Sequence, residues 1–253
     1  MDFAAFAYVG ESVTNPDKYY TNNVANTLNL LNTMICCGVK KFIFSSTCAI
    51  YGNPKYTPID EKHQKKPINP YGKSKLMVEE ILGDYAKAYD FNYISLRYFN
   101  VAGADFDAEI GESHNPETHI IPLLLETVTG KRESFTVFGN DYETNDGTCI
   151  RDYIHVMDLA EAHTKAYEWL NKNNRSEVFN LGTGKSYSVL ELINTTEKIT
   201  HKKINYKIGE RRMGDPAVLV ASNKKAKDIL GFSCKYADIE TIIDSAYKWH
   251  TKI

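Results

Sequence analysis

The chain has 253 residues, of which 43% are hydrophobic and 25% charged, and its formal net charge is −2 at pH 7. This length can bury the core of one large or two smaller domains, and so small a charge gives no electrostatic reason to expect a nucleic-acid or anionic-membrane partner. No stretch approaches the roughly 18 apolar residues of a membrane span, and the N-terminus lacks a basic region followed by an apolar block.

The five cysteines are an odd number and form no Cys-x-x-Cys pair. This usage argues against a zinc site and against a disulfide framework, and it favours a reducing compartment. We therefore predict a cytoplasmic protein without a metal site.

In chain order, the hydrophobic pattern predicts an alternation of helices and strands. Apolar side chains recur at helical spacing in residues 22–37, and a continuous apolar run at 41–46 predicts a buried strand. Residues 70–89 again have the helical period, and the apolar pattern of residues 93–98 predicts a second buried strand. This βαβ order predicts an α/β fold with a doubly wound parallel sheet, which is Rossmann-like.

After residue 100 the pattern becomes irregular, and we predict that a smaller α+β substrate lobe begins there. A helix from Asp158, a short strand at 178–181, and a capping box formed by Ser188 and Glu191 follow. The two domains are predicted to interleave, with residues 1–100 and 150–185 in the sheet domain and residues 101–149 and 186–253 in the lobe.

The stretch Tyr71-Gly-Lys-Ser-Lys75 places a phenol and an ammonium four residues apart, on one face of the predicted helix. Asn69 suits the N-cap of that helix and Pro70 its first turn. A free tyrosine, with a pKa of about 10, is a poor base at neutral pH, whereas a lysine cation beside it stabilises the phenolate. We expect Lys75 to lower the pKa of Tyr71 and make it a proton-transfer group for hydroxyls.

Tyrosine and lysine also meet at this spacing by chance, as a half-buried tyrosine beside a surface lysine. Here, however, the strand predicted just upstream ends in the hydroxyls of Ser45, Ser46 and Thr47. Ligands bind at the carboxyl ends of strands in open α/β sheets. Thr47, Tyr71 and Lys75 are therefore expected to form a Thr–Tyr–Lys constellation at that edge.

Longer motifs extend almost from end to end of the chain, among them Asn69-Pro-Tyr-Gly-Lys-Ser-Lys-Leu-Met77, Leu96-Arg-Tyr-Phe-Asn100, Phe138-Gly-Asn-Asp-Tyr142, Arg151-Asp-Tyr-Ile-His-Val156 and Arg211-Arg-Met-Gly-Asp215. In these motifs the chain resembles the extended short-chain dehydrogenase/reductases, and among them the UDP-glucose 4-epimerase family. The resemblance implies NAD as the cofactor and a UDP-sugar as the substrate. It also implies interconversion of UDP-glucose and UDP-galactose at C4 through a 4-keto intermediate.

The resemblance further implies roles for individual residues. Tyr71 exchanges the proton of the sugar 4-hydroxyl, Thr47 hydrogen-bonds that hydroxyl, and Lys75 binds the nicotinamide ribose. The other positions that match the NAD site are Asn22, Ser45 and Tyr98. The positions that match the UDP-sugar site are Asn100, His119, Ile120, Phe138, Arg151, Arg212, Asp215 and Leu219.

Some of these assignments have a structural alternative. Arg151 and Arg212 have forked guanidiniums that suit a diphosphate, but Arg151 could instead form an ion pair with the neighbouring Asp152. His119 stands in a stretch where some relatives have Asn-Leu, which puts its contact with the nucleotide in doubt. Leu219 is intermediate in size at a pocket position, so UDP-hexose and UDP-N-acetylhexosamine both remain open.

No glycine-rich dinucleotide motif follows any predicted strand. In the family that the chain resembles, roughly 70–80 residues, the size of about two βαβ units, precede the point at which this sequence begins. They hold the glycine turn for the NAD pyrophosphate. We therefore expect an N-terminally incomplete sheet domain and a doubtful activity for the chain by itself, with a homodimer in the full-length form.

Two alternatives to the epimerase remain at this point. A sugar-nucleotide 4,6-dehydratase or decarboxylase shares the fold and the Tyr/Lys pair, but dehydratases usually have an acid directly after the strand-end threonine. In this chain Cys48 and Ala49 follow Thr47. The second alternative is a fragment without catalytic activity.

Overall fold

The computed structural model describes residues 1–212 and 214–252. Its helices are α1 (Val9–Thr14), α2 (Pro16–Tyr20), α3 (Thr27–Cys36), α4 (Pro70–Ala88), α5 (Ile120–Thr129), α6 (Val156–Asn173), α7 (Val189–Thr200), α8 (Lys224–Leu230) and α9 (Ile239–Lys252). Its strands are β1 (Lys41–Thr47), β2 (Asn92–Tyr98), β3 (Asn100–Ala102), β4 (Phe135–Phe138), β5 (Ile150–Arg151), β6 (Tyr153–His155), β7 (Glu177–Leu181), β8 (Tyr187–Ser188), β9 (Tyr206–Gly209) and β10 (Val218–Leu219). A π-helical segment (Thr21–Asn26) leads into α3, and a 3₁₀ turn (Cys48–Tyr51) follows β1.

The chain divides into two compact units. Unit 1 contains Met1–Tyr98, Ala162–Leu181 and Asn223–Phe232, and unit 2 contains Phe99–Glu161, Gly182–Ser222 and Ser233–Ile253. This division departs from the predicted ranges in four places, of which residues 99–100 and 182–185, both in unit 2, lie directly beside a predicted boundary. Residues 150–161 fall in unit 2, because β5 pairs with β10 and β8 and because β6 pairs with β3. The helix α8, predicted in the lobe, falls in unit 1.

Unit 1 is built on a parallel three-stranded sheet of order β1-β2-β7. Its strands are continuous apolar runs, as expected where helices cover both faces of a parallel sheet. The register pairs Thr47 with Tyr98, so the hydroxyl end of β1 and the tyrosine end of β2 lie side by side. The helix α4 connects these two parallel strands, and this βαβ unit confirms the predicted α/β class.

The amphipathic helices α3 and α4 pack against this sheet. Leu31 of α3 and Val78 and Leu82 of α4 form one buried cluster with Phe42 and Phe44 of β1. The helical period thus places one apolar face of each helix on the sheet, as the spacing in the sequence predicts.

A buried ion pair also ties α4 to the sheet. Arg97 of β2 donates from Nε and Nη2 to the two carboxylate oxygens of Glu79 at 2.9 and 2.6 Å. Glu79 Oε1 also accepts from the Ser46 hydroxyl at 2.6 Å, and Arg97 Nη1 donates to Tyr51 Oη at 2.8 Å. Because a buried charge is costly unless its hydrogen bonds are satisfied, this network fixes the position of α4 relative to β1 and β2.

Unit 2 has a separate core formed by α5, α7 and α9. Leu124 and Leu125 of α5, Leu192 of α7, and Ile242 and Ile243 of α9 are fully or almost fully buried in it. Ser188 and Glu191 form the predicted capping box at the start of α7. The short sheets β3-β6, β4-β9 and β10-β5-β8 belong to the same unit.

Among the residues that the structure describes, no helix is both long and apolar enough to cross a membrane.

Candidate active site

The first turn of α4 positions the predicted Tyr/Lys pair. Asn69 Oδ1 accepts the Gly72 N–H at 2.8 Å and caps the helix, and Pro70 occupies the first helical position. A Cβ on Gly72 would lie only 2.6 Å from the Ala49 carbonyl oxygen. The missing side chain therefore lets α4 approach the turn that follows Thr47, and Tyr71 comes to face that threonine.

Lys75 lies one turn further along α4 and is 4% exposed. Its Nζ donates to the Ser45 carbonyl oxygen at 2.8 Å and lies 4.7 Å from the centroid of the Phe44 ring. Burial destabilises the ammonium form and lowers the pKa of Lys75 to about 8.

Tyr71 is half-buried at the start of α4. Loss of water around the phenolate raises the pKa of Tyr71 to about 12, although a hydrogen bond from the Thr47 side chain lowers it in part. The expectation that Lys75 lowers the pKa of Tyr71 is therefore wrong for the chain by itself. The physical reason is that Lys75 Nζ is hydrogen-bonded to the Ser45 carbonyl while burial acts directly on the phenol.

The structure also brings Ser45 and Tyr98 to this edge of the sheet. Tyr98 Oη donates to Ser45 Oγ at 3.0 Å, and Ser45 Oγ donates to the Asp2 carbonyl at 2.7 Å. The fourth predicted cofactor residue, Asn22, lies in the π-helical segment and donates to Asn23 Oδ1 at 3.1 Å.

Sequence reasoning missed three polar residues around these side chains. His163 Nε2 lies 2.6 Å from Tyr98 Oη. Ser74 Oγ donates to the Tyr71 carbonyl at 2.8 Å, and buried Asn23 donates to Ser74 Oγ at 3.2 Å. Ser74 could have been predicted from the sequence, since it lies inside the Tyr71–Lys75 motif. Asn23 and His163 are distant from that motif in sequence, and only the fold brings them to the site.

The polar groups of this edge fit a nicotinamide ribose. Among the described residues, the Ser45 carbonyl is the one acceptor within hydrogen-bond distance of Lys75 Nζ, which leaves two of its three N–H groups for ligand hydroxyls. The hydroxyl oxygens of Ser45 and Tyr98, whose protons are donated to the Asp2 carbonyl and to Ser45 Oγ, can accept hydrogen bonds beside it. A buried lysine with spare donors at the carboxyl end of a parallel strand is suited to a ribose diol.

Apart from Thr47, the predicted UDP-sugar residues lie in unit 2. Arg151 in β5 is 8% exposed, and its Nη2 contacts Asp215 Oδ1 while Nη1 donates to the Ile150 carbonyl at 2.7 Å. Burial is the largest single effect and opposes the charge of Arg151, but Asp215 and smaller contributions from other neighbouring groups together raise the pKa of the guanidinium. Leu219 of β10 is paired with Arg151 in the parallel ladder.

The alternative ion pair between Arg151 and Asp152 does not form. Both carboxylate oxygens of Asp152 instead accept hydrogen bonds from Thr183, Gly184 and Ala221, at 2.7–3.1 Å. The two neighbours thus have different partners: Asp152 accepts from backbone N–H groups and the Thr183 hydroxyl, and Arg151 pairs with Asp215.

A second cationic group in unit 2 lies on aromatic rings. Arg212 Cζ is 4.0 Å from the Phe138 ring centroid, and Arg211 Cζ is 4.2 Å from that of Tyr142. A cavity of about 510 Å³ is lined by residues 139–141 and 208–211. Tyr142 Oη is buried and has no hydrogen-bond partner among the described residues, and its side chain does not line this cavity.

The remaining predicted substrate residues contact neither the Arg151–Asp215 pair nor the Arg212–Phe138 pair in the hydrogen bonds and ion pairs described. Asn100 begins β3, and its N–H donates to the Asp152 carbonyl at 3.0 Å. His119 is the N-cap residue of α5 and its ring contacts Glu112, while Ile120 is the first residue of that helix. His155, which the sequence marks as a motif residue, is buried with both ring nitrogens engaged by Ser245 Oγ and the Met157 N–H.

Comparison with known proteins confirms the resemblance and the fold class. Residues 1–182 match the NAD dependent epimerase/dehydratase family. UDP-glucose 4-epimerase of Rhizobium meliloti (strain 1021) is 49% identical over 252 residues, which cover 100% of this chain and 76% of the relative.

Two solved structures are similar as well. UDP-glucose 4-epimerase from Brucella ovis in complex with NAD superposes with a TM-score of 0.94 at 48% identity, over 97% of this chain and 76% of that one. UDP-glucose 4-epimerase from Bifidobacterium longum in complex with NAD+ and UDP superposes with a TM-score of 0.95 at 41% identity, over 99% of this chain and 75% of that one. The chain belongs to the NAD dependent epimerase/dehydratase family, in the branch of the UDP-glucose 4-epimerases.

Proposed function

We propose that this chain interconverts UDP-glucose and UDP-galactose by epimerisation at C4 of the hexose, through a 4-keto intermediate and with NAD as cofactor. The observation that supports this most is the arrangement of Thr47, Tyr71 and Lys75 at the carboxyl end of β1. The close relatives are UDP-glucose 4-epimerases, and two of them are known with bound NAD, which favours this reaction over the dehydratase. The 3₁₀ turn after Thr47 begins with Cys48 and Ala49, so it offers no acid for an elimination.

Bound NAD supplies a reversible hydride acceptor and the positive charge of its nicotinamide ring. Lys75 is the residue we assign to the nicotinamide ribose, because it is buried and keeps two N–H groups for hydroxyl acceptors. Ser45, Tyr98 and Asn22 complete the part of the cofactor site that unit 1 contains.

Tyr71 exchanges a proton with the sugar 4-hydroxyl, and Thr47 hydrogen-bonds both the phenol and that hydroxyl. Since burial holds the pKa of Tyr71 at about 12, the resting side chain is the neutral phenol. Its conversion to the base therefore requires added positive charge near the phenol oxygen. Returning the proton from Tyr71 to the reduced C4 oxygen completes the exchange.

For the nucleotide we propose contacts with two groups of unit 2. Arg212 on Phe138 presents an exposed guanidinium that suits a diphosphate. Arg151 is engaged by Asp215, so a phosphate must share that guanidinium with the carboxylate. Asn100, His119, Ile120 and Leu219 stay predicted contacts, and Leu219 leaves the N-acetylated sugars open.

The direct test is to incubate the chain with NAD and UDP-glucose and to separate the UDP-sugars by chromatography. We expect UDP-galactose to form without net change in the absorbance of reduced nicotinamide, because the cofactor is regenerated in each turnover. A 4-keto-6-deoxy product would establish the dehydratase, and accumulation of reduced nicotinamide in step with product would establish an oxidoreductase.

Tyr71→Phe serves as the matched variant, since it removes only the phenol oxygen. We expect its turnover to fall by at least about 100-fold, the lower end of what general acid–base catalysis contributes. Turnover that stays near the wild-type value would exclude Tyr71 as the proton-transfer group. Absence of product in the wild-type chain as well would support the inactive fragment.

We further propose that the protein is cytoplasmic and that it forms a homodimer. The odd number of cysteines supports the first proposal, because a reducing compartment keeps them as thiols. Sedimentation at several concentrations tests the second.

A further inference from the structure

Four side chains in the loop before α5 converge in unit 2. The carboxylates of Glu112 and Glu117 and the imidazoles of His114 and His119 each offer one ligand atom, and all four atoms lie within 4.8 Å of one another. We propose that these residues bind a divalent transition metal ion of the zinc class. The site is separate from the Thr47, Tyr71 and Lys75 group, and it includes His119, which is also a predicted UDP-sugar contact. The proposal goes beyond the epimerase function.

The distances around His114 match those between neighbouring ligands of one metal ion. Nδ1 of His114 lies 3.2 Å from Glu112 Oε1 and 3.4 Å from Glu117 Oε2. Zinc bonds of about 2.0–2.1 Å place neighbouring ligands of a tetrahedral ion about 3.3–3.4 Å apart. A charged N–H···O hydrogen bond is shorter, at about 2.7–2.9 Å.

His119 approaches the same carboxylate from the other side. Its Nδ1 contacts Glu112 Oε1 as an ion pair, which must open for both atoms to bind one ion, and its ring lies nearly perpendicular to that of His114, with the centroids 5.1 Å apart. Two neutral imidazoles and two carboxylates carry a total charge of −2, which a divalent cation neutralises. Mixed nitrogen and oxygen donors of this kind suit zinc more than magnesium, which prefers oxygen.

Outer contacts orient the proposed ligands. Glu117 Oε1 accepts the N–H groups of Thr118 and His119 at 2.7 and 2.8 Å, so Oε2 is the atom presented to the cluster. The Glu112 carbonyl accepts Trp249 Nε1–H at 2.9 Å. Residues that hold metal ligands in this way raise metal affinity, since they fix the ligand before the ion binds.

A small cavity adjoins the cluster. It has a volume of about 150 Å³, and Glu126, Lys131 and His250 line it together with three of the proposed ligands. Such a space can hold water beside the ion. The sequence predicted no metal site because that prediction rested on the cysteines, and a spacing of histidines and glutamates in a loop is not distinctive without the fold.

The test uses the whole chain, freed of metal by a chelator, and titration calorimetry with zinc chloride. We expect one Zn²⁺ ion to bind per chain and Mg²⁺ to bind much more weakly. We expect Glu117→Gln and His114→Ala to weaken Zn²⁺ binding by at least about 10-fold, because even outer partners of metal ligands contribute about 10–100-fold. Glu133→Gln, an exposed carboxylate of the same unit, is the control that should bind as wild type does.

Zinc should also raise the Tm of the wild-type chain by more than that of Glu117→Gln at the same zinc concentration, since an ion that binds only the folded state stabilises it more when it binds more tightly. Circular dichroism without metal checks that both variants are folded. Zinc affinity that is equal in wild type and both variants, or no zinc binding at all, would show that these residues form ion pairs only. The zinc affinity and the Tm are measured without turnover, so the test of the metal site remains valid if the proposed epimerase function is wrong.

Discussion

The pKa values of Tyr71 and Lys75 are shifted in opposite directions by the same physical cause. Burial raises the pKa of the phenol to about 12 and lowers the pKa of the ammonium to about 8, because each shift favours the uncharged form. The lysine is therefore closer to neutrality, and the tyrosine further from ionisation, than either would be in water. The free energy of unfolding therefore depends on the charge of these two side chains, and this dependence can be measured without any ligand.

The first prediction concerns the pH dependence of that stability. Lys75 has an ordinary pKa of 10.5 and a folded pKa of about 8, so between these values the unfolded chain binds more protons and stability rises with pH. From about pH 7.5 to about pH 9.5, the urea-unfolding free energy of wild type should gain about 2 kcal/mol relative to that of Lys75→Met. A difference between the two proteins that stays constant or falls over this range would contradict a lowered lysine pKa.

At the scale of elements, the position of α4 against the sheet determines where Tyr71 and Lys75 lie. Its cap at Asn69, its close approach at Gly72, and its buried ion pair through Glu79 fix the helix against β1 and β2. The two functional side chains are thus positioned by backbone contacts on one turn and by a charge network on the next.

The second prediction tests the close approach. A Cβ at Gly72 would meet the Ala49 carbonyl at 2.6 Å, whereas one at Gly83, in the same helix, would meet only Tyr93 Oη at 3.7 Å. We expect Gly72→Ala to lower the free energy of unfolding by about 1–3 kcal/mol through overpacking and to reduce turnover. Gly83→Ala should be neutral or stabilising by up to about 1 kcal/mol, because alanine is the better helix former.

Chemical denaturation of both alanine variants, followed by circular dichroism, checks this. Equal stabilities for the two would mean that contact with Ala49 does not restrict the first turn of α4.

At the scale of the whole molecule, both units are assembled from segments far apart in sequence. In unit 2 the buried carboxylate of Asp152 joins two of them, Phe99–Glu161 and Gly182–Ser222. It accepts the N–H and hydroxyl of Thr183, the N–H of Gly184 and the N–H of Ala221. The backbone at 152, 183–184 and 221 is held together by this one side chain as well as by the short strands.

The third prediction follows from these contacts. Asp152→Ala should lower the free energy of unfolding by about 3 kcal/mol or more, since it leaves buried N–H groups without an acceptor. Asp107→Ala, an exposed aspartate of the same unit, should change it by less than about 0.5 kcal/mol. Urea titrations of both variants decide the matter, and a loss at Asp152 no larger than at Asp107 would refute the structural role.

Much of the fold could be predicted because it is encoded locally. The helical period of α4, its Asn-Pro start and the capping box of α7 depend on residues within a few positions of one another. The hydroxyl end of β1 and the Tyr71–Lys75 spacing were predicted for the same reason. The unit boundaries were not, because β5, β6 and α8 are assigned by partners distant in sequence.

The sequence by itself determined the family and the α/β class, and it predicted the Thr–Tyr–Lys side chains, since these depend on short motifs and on periodicity. Only the tertiary structure decided which group Lys75 binds, that Arg151 pairs with Asp215 rather than with its neighbour, and that two glutamates and two histidines converge before α5. The physical reason is that hydrogen bonds, ion pairs and desolvation depend on distances of a few ångströms, and the fold sets those distances between residues that the chain keeps far apart.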